Sequence, residues 1–160
     1  MQENQIEYKE AFNYAIKLLS KRDYSIYKLT QKLITQEITE ECAQRVINKL
    51  IALKYLREEE FTKARASQLL SRCYANDYIV QKLSEEQLEI DHQQLETLRK
   101  ELGLDSQGQI KKLIEKRLRY KQIPESFEER QKLKYKLFSF LNSKGYKHSN
   151  IENQIQEYIK

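Results

Sequence analysis

The chain of 160 residues has no tryptophan, one proline, three glycines and two cysteines. Each shortage excludes something. An all-β protein needs turn residues roughly every 8–12 positions, and so few glycines and prolines cannot supply them. The three glycines are scattered, so there is no glycine-rich loop to cradle a phosphate. Cys42 and Cys73 stand alone and fit no metal-ligand spacing. With no export signal beside them, two free thiols suit a reducing cytosol. The opening "MQENQIEYKEAF" has neither a basic n-region nor an apolar h-region, so it does not read as a secretory signal. No run approaches the roughly 18 apolar residues of a membrane span. His92 and His148 are far apart and lack Cys or His neighbours. The sequence therefore offers no catalytic constellation. A cytoplasmic, monomeric binding protein is expected, with no cofactor, no metal and no membrane.

What is abundant is Leu, Lys, Glu, Gln, Ile and Arg, the residues that favour helix. The expected fold is all-α, with about nine short helices. The first should run from about Asn4 to Arg22, with Ala15, Leu18 and Leu19 on one face. The second should open at Ser25 and carry Leu29 and Leu33. Thr39 should cap a third, with Glu40 and Glu41 where negative charge suits the helix dipole. "YLREEEF" (55–61) should start a fourth, its glutamates read as a first turn rather than a carboxylate site. Ile79 and Leu83 mark a fifth. Asp91 with Gln94 has the spacing of a capping box for a sixth. "GLDSQG" (103–108) is the clearest break, followed by a seventh helix on Ile110, Leu113, Ile114 and Leu118. Ser126 with Glu129 is a second candidate capping box, opening an eighth helix that Gly145 should close. The ninth carries Ile151, Ile155 and Ile159.

One pattern occurs three times. Tyr24, Tyr74 and Tyr146 are each followed by Leu or Ile five and nine places on: Leu29 and Leu33, Ile79 and Leu83, Ile151 and Ile155. Each follows a basic residue and a pair of large apolar residues. If Ser25 is an N-cap, Tyr24 precedes it and packs on Leu29, a hydrophobic staple. The tyrosines are thus expected mainly as corners between helices. Ala75 and Lys147 replace the serine in the later copies, whose helices should begin later, at Asn76 and at Ser149–Asn150. The copies lie 50 and then 72 residues apart, so this is no strict solenoid. The expected organisation is three tandem three-helix units, 1–56, 57–104 and 105–160, in an elongated, curved array.

Charge is unevenly placed. Residues 109–147 hold twelve Lys/Arg and four Asp/Glu, a net of +8, whereas the whole chain carries +5. Such a segment attracts polyanions or an acidic protein face.

Three stretches resemble the RecX family of bacterial recombination regulators: "AIKLLSKRDYSIYKLTQKL" (15–33), "VINKLIALKYLREEEF" (46–61) and "KLFSFLNSKGYKHSNI" (136–151). In order and spacing the resemblance covers about residues 11–159. Lys54 and Cys73 stand where the family has glycines, and Arg57-Glu58 replaces an acidic pair. If those glycines have positive φ, Lys54 and Cys73 should strain their turns. The resemblance implies binding along the groove of the RecA filament on single-stranded DNA, with inhibition of ATPase and strand exchange. The partners it implies are the RecA filament and single-stranded DNA, met directly or through the filament. Candidate contacts are the basic residues beside the corners (Lys21, Arg22, Arg65, Arg72, Lys144) and in the seventh helix and its end (Lys111, Lys112, Lys116, Arg117, Arg119, Lys121). The alternative is a basic helical protein that binds DNA or RNA without RecA, with Tyr120 stacking on a base.

Overall fold

The computed structural model describes residues 2–105 and 108–159. Of the expected break at 103–108, Ser106 and Gln107 lie outside the described residues. Among the described residues there are nine helices and no strand: α1 (Gln2–Leu19), α2 (Ile26–Ile34), α3 (Glu40–Ala52), α4 (Glu58–Ser71), α5 (Asn76–Glu85), α6 (His92–Glu101), α7 (Gly108–Leu118), α8 (Phe127–Ser143) and α9 (His148–Tyr158). Contacts group the chain into two compact units. One comprises Met1–Ala64 with Ser84–Glu89, the other Arg65–Leu83 with Ile90–Lys160.

In the first unit α1 packs on α2 and α3. Ala11 and Ala15 lie one turn apart on α1 and are fully buried, in one core cluster with Val46, Ile47 and Leu50 of α3. Side chains this small let the facing helix come close. Helix starts are fixed from two directions. Ser25 Oγ accepts from Lys28 N–H (3.2 Å), and Glu58 Oε2 accepts from Ile26 N–H (2.7 Å). At α3, Thr39 Oγ1 accepts from Cys42 N–H, while Glu7 Oε1 accepts from both Thr39 N–H and its hydroxyl at 2.9 Å. Glu58 and Glu7 thus satisfy N-terminal donors of helices about 30 residues away in sequence, which local patterns do not reveal. Burial, and after it Glu7, push the Cys42 thiol up, so it stays protonated in this core.

The second unit has a core of Ile110, Leu113, Ile114, Leu137, Leu141, Ile151, Ile155 and Ile159, where α7, α8 and α9 meet. Among the described residues, four helix ends share one geometry. After α3, α4, α6 and α8 a left-handed residue follows the last turn: Lys54 (φ 59), Cys73 (φ 57), Gly103 (φ 63) and Gly145 (φ 84). The next residue's N–H then reaches back to the helix, as Tyr55 to Leu50 O, Tyr74 to Leu69 O, Leu104 to Arg99 O and Tyr146 to Leu141 O. This is the Schellman stop, with its apolar residue just outside the helix.

Several boundaries differ from expectation. Helix α1 ends at Leu19 rather than Arg22, where Ser20 Oγ donates to Lys17 O and the chain turns. Helix α4 begins at Glu58, because Tyr55 is the outer residue of the stop that ends α3. Ser126 has the extended backbone of an N-cap but makes no side-chain cap bond, so no capping box forms with Glu129. Helix α9 begins at His148, one residue earlier than expected. Helix α7 ends at Leu118, which leaves Arg119 in a turn and Lys121 in a loop.

Candidate anion-binding cleft

Two of the tyrosine corners meet in the second unit. The stop at Cys73 and the stop at Gly145 lie against each other, joined by Ala75 N–H donating to Lys144 O (2.9 Å). Tyr146 hydroxyl donates to Cys73 O at 2.9 Å and lies 3.4 Å from Gln109 Oε1. Lys144 Nζ donates to Arg72 O (3.2 Å) and sits 3.8 Å from the Tyr74 ring centroid. Burial, and after it the Cys73 side chain, push the Tyr146 hydroxyl up to about 12. It therefore remains a protonated donor at neutral pH. The Tyr74 ring also stacks on Tyr78, with centroids 4.7 Å apart.

Beside this joint opens a cleft of about 770 Å³. Its walls are the end of α4 with Arg72 and Cys73, the segment Gly103–Asp105, the exposed side of α7, and Phe140 with Lys144 near the end of α8. Helix α7 can present this side because Ile110 and Ile114 anchor its other face in the core. Lys112 and Lys116 stand one turn apart on it and are exposed. Arg117 lays its guanidinium 4.3 Å from the Phe140 ring centroid, a cation–π contact. Five cations thus line one cleft: Arg72, Lys112, Lys116, Arg117 and Lys144. Among the described residues none of the five pairs with a carboxylate. The acidic residue of the lining is Asp105, which accepts from Gly108 N–H at 3.0 Å. Cations left unbalanced beside an apolar floor hold a positive potential that water screens only in part.

The other candidate contacts lie elsewhere. Lys21 and Arg22 are exposed in the first unit, where Arg22 covers the Tyr24 ring at 4.7 Å. Tyr24 is buried beside the Ser25 cap. Arg65 is half-buried on α4 and donates to Gln68 Oε1. Lys111 and Arg119 are exposed and do not line the cleft. Lys121 lines a second hollow of about 450 Å³ that shares Arg117 and Phe140 and adds Tyr135 and Lys136.

Sequence reasoning passed over Phe140 as a cleft residue, and Leu104 as well. Leu104 could have been found as the apolar residue following the glycine stop at Gly103. It also passed over Arg99, which is 4% exposed on α6. Arg99 Nη2 donates to Asn76 Oδ1, and its Nε lies 3.5 Å from Glu96 Oε1, which accepts from Asn76 Nδ2 at 2.7 Å. This network ties α6 to the start of α5. Periodicity alone gives no signal for it, because arginine on a surface helix reads as solvent-facing.

Residues 11–50, a quarter of the chain, match the family described as RecX, first three-helix domain. The regulatory protein RecX of Vibrio cholerae serotype O1 is 32% identical over 71 residues, 44% of this chain. Over these stretches the chain is similar to the RecX family. The matched stretch spans about half the length of that curated relative, 47%. The crystal structure of RecX from Lactobacillus salivarius superposes with a TM-score of 0.67 at 23% identity, covering 96% of this chain and 97% of that one. A second structure, of regulatory protein RecX, gives 0.68 at 18% identity and covers 97% and 74%. At these identities the RecX structures share the helical fold with this chain. Among the described residues no helix is long and apolar enough to cross a membrane. The RecX relatives carry the name of regulatory proteins.

Proposed function

We propose that this chain is a negative regulator of the RecA recombinase. It binds the RecA filament on single-stranded DNA along the filament groove and inhibits ATPase, strand exchange and filament growth. It acts as a monomer in the cytoplasm, by binding alone, without a cofactor or chemistry of its own. The three-helix units at 1–56, 57–104 and 105–160 are the modules that engage the filament. The observation that carries this reading is the cleft in which five cations gather with no carboxylate partner among the described residues, on a fold shared with RecX structures. RecA filaments offer both DNA phosphates and acidic protein surface to such a cleft. The test is RecA ATPase on single-stranded DNA, titrated with the chain at physiological salt. Dose-dependent inhibition at well below one chain per RecA monomer is expected. An unchanged rate at a saturating dose sinks the proposal.

A second reading, direct nucleic-acid binding with no RecA partner, draws on Tyr120 and Tyr135. They are 93% and 73% exposed, close in sequence to Lys121 and Lys136. Stacking rings beside cations suit a single strand. This reading predicts tight binding to bare DNA that weakens linearly in log salt, with no effect on ATPase.

A further inference from the structure

We infer that the cleft walled by the Cys73 corner, α7 and the end of α8 docks an acidic peptide segment that carries an apolar side chain. The inference rests on the regulatory reading for the partner being a protein, and it names the part of that partner the chain grips.

Size comes first. At about 770 Å³ the cleft is in the range that holds a few side chains of one segment rather than a folded face. Its chemistry is double. Leu104, Leu113 and Phe140 supply an apolar floor, and the cations stand around it. Two of these cations are held in place, Arg117 on the Phe140 ring and Lys144 on the Tyr74 ring and the Arg72 carbonyl. Lys112 and Lys116 are exposed and make no hydrogen bond or ion pair among the described residues, so they can close on a carboxylate.

A wholly polar anion leaves the floor wet. A neutral apolar ligand buries the floor but strips water from unpaired charge, which is costly. Glutamates or aspartates flanking a leucine or phenylalanine satisfy both. A nucleic-acid strand suits the cleft less, because it needs open ring faces for its bases. Here Arg117 lies over Phe140, and Tyr74 is taken by Lys144 and by Tyr78. The exposed rings of Tyr120 and Phe127 are not part of the lining.

The experiment is fluorescence anisotropy on the full chain at physiological salt. The probe is a labelled peptide of glutamates around one Leu-Phe pair. Its controls are the same peptide with Ser-Ser in place of that pair, and an oligo-dT of matched charge. The Leu-Phe peptide should bind at least about tenfold more tightly than the Ser-Ser peptide. The double variant Lys112→Glu/Lys116→Glu should lose at least about tenfold, while Lys111→Glu, on the same helix but off the cleft, should bind as the parent does. Circular dichroism should be unchanged for all three chains.

Equal binding of the two peptides overturns the proposal in favour of bare charge. Tighter oligo-dT binding, lost in the same double variant, overturns it in favour of nucleic acid. Absence of peptide binding overturns it outright. RecA ATPase measured on the same preparations separates the two claims. Peptide binding without ATPase inhibition removes the regulatory reading and leaves the cleft. Inhibition without peptide binding removes the cleft proposal alone.

Discussion

Lys54 and Cys73 hold φ values of 59° and 57° at the stops of α3 and α4. In this region a Cβ crowds the neighbouring backbone, at a cost of about 1–2 kcal/mol that glycine escapes. Glycine restores some unfolded-chain entropy, so Lys54→Gly should stabilise the protein by about 0.5–1 kcal/mol. Lys54 is exposed, and its side chain loses nothing by removal. Cys73→Gly should gain less, because its partly buried thiol packs on the core of the second unit. Urea midpoints check both, and a drop in the Lys54→Gly midpoint refutes the strain account. The reverse substitution separates strain from crowding. Gly103 has open space where a Cβ would stand, whereas a Cβ on Gly145 would come within 2.5 Å of Tyr78 Cβ. Gly103→Ala should therefore cost about 1 kcal/mol from φ alone. Gly145→Ala should cost about 2–4 kcal/mol, the overpacking added to the strain. Equal losses in thermal melts would show that Tyr78 simply moves aside.

At the scale of the helix, what could be read in the sequence was what the chain decides locally. Ser25, Thr39 and Asp91 cap because their side chains reach a backbone N–H three residues on, a distance set by the helix itself. Apolar periodicity placed α7 for the same reason. The Ser126 spacing matched a cap and no cap bond formed, since residue type only biases a side chain that water also competes for. The long-range caps were illegible. Glu58 read as a first-turn glutamate of α4, which it is, yet its carboxylate also holds the first N–H of α2. Glu58→Ala should cost about 1 kcal/mol by removing that acceptor, and Glu7→Ala about as much by removing two bonds at Thr39. Amide hydrogen exchange gives the sharper measurement. Each substitution should speed exchange at the Ile26 or Thr39 amide, the one that loses its acceptor. Faster exchange throughout the unit, with no local excess, would mean these carboxylates do not act as caps.

For the whole molecule the question is whether net charge or local charge governs binding. The sequence showed a +8 segment in a chain of +5, but not which of its cations converge. Convergence comes from the paired corners at Cys73 and Gly145, 72 residues apart, whose contact bears no mark in sequence. It brings Arg72 and Lys144 to Lys112, Lys116 and Arg117, and leaves Lys111, Arg119 and Arg65 outside. At physiological salt the Debye length is about 8 Å, so exposed charges beyond the cleft are largely screened. Two variants with equal change in net charge decide the matter. Lys112→Glu/Lys116→Glu alters the cleft. Lys32→Glu/Lys49→Glu alters exposed lysines of α2 and α3 in the first unit. The first should raise the concentration for half-inhibition of RecA ATPase about tenfold or more, whereas the second should shift it less than about threefold. Raising salt should then weaken the parent chain and narrow its gap from the cleft variant, because the term removed by mutation is the one that salt screens. Equal losses from both variants would assign the effect to net charge and leave the cleft without a special role in inhibition.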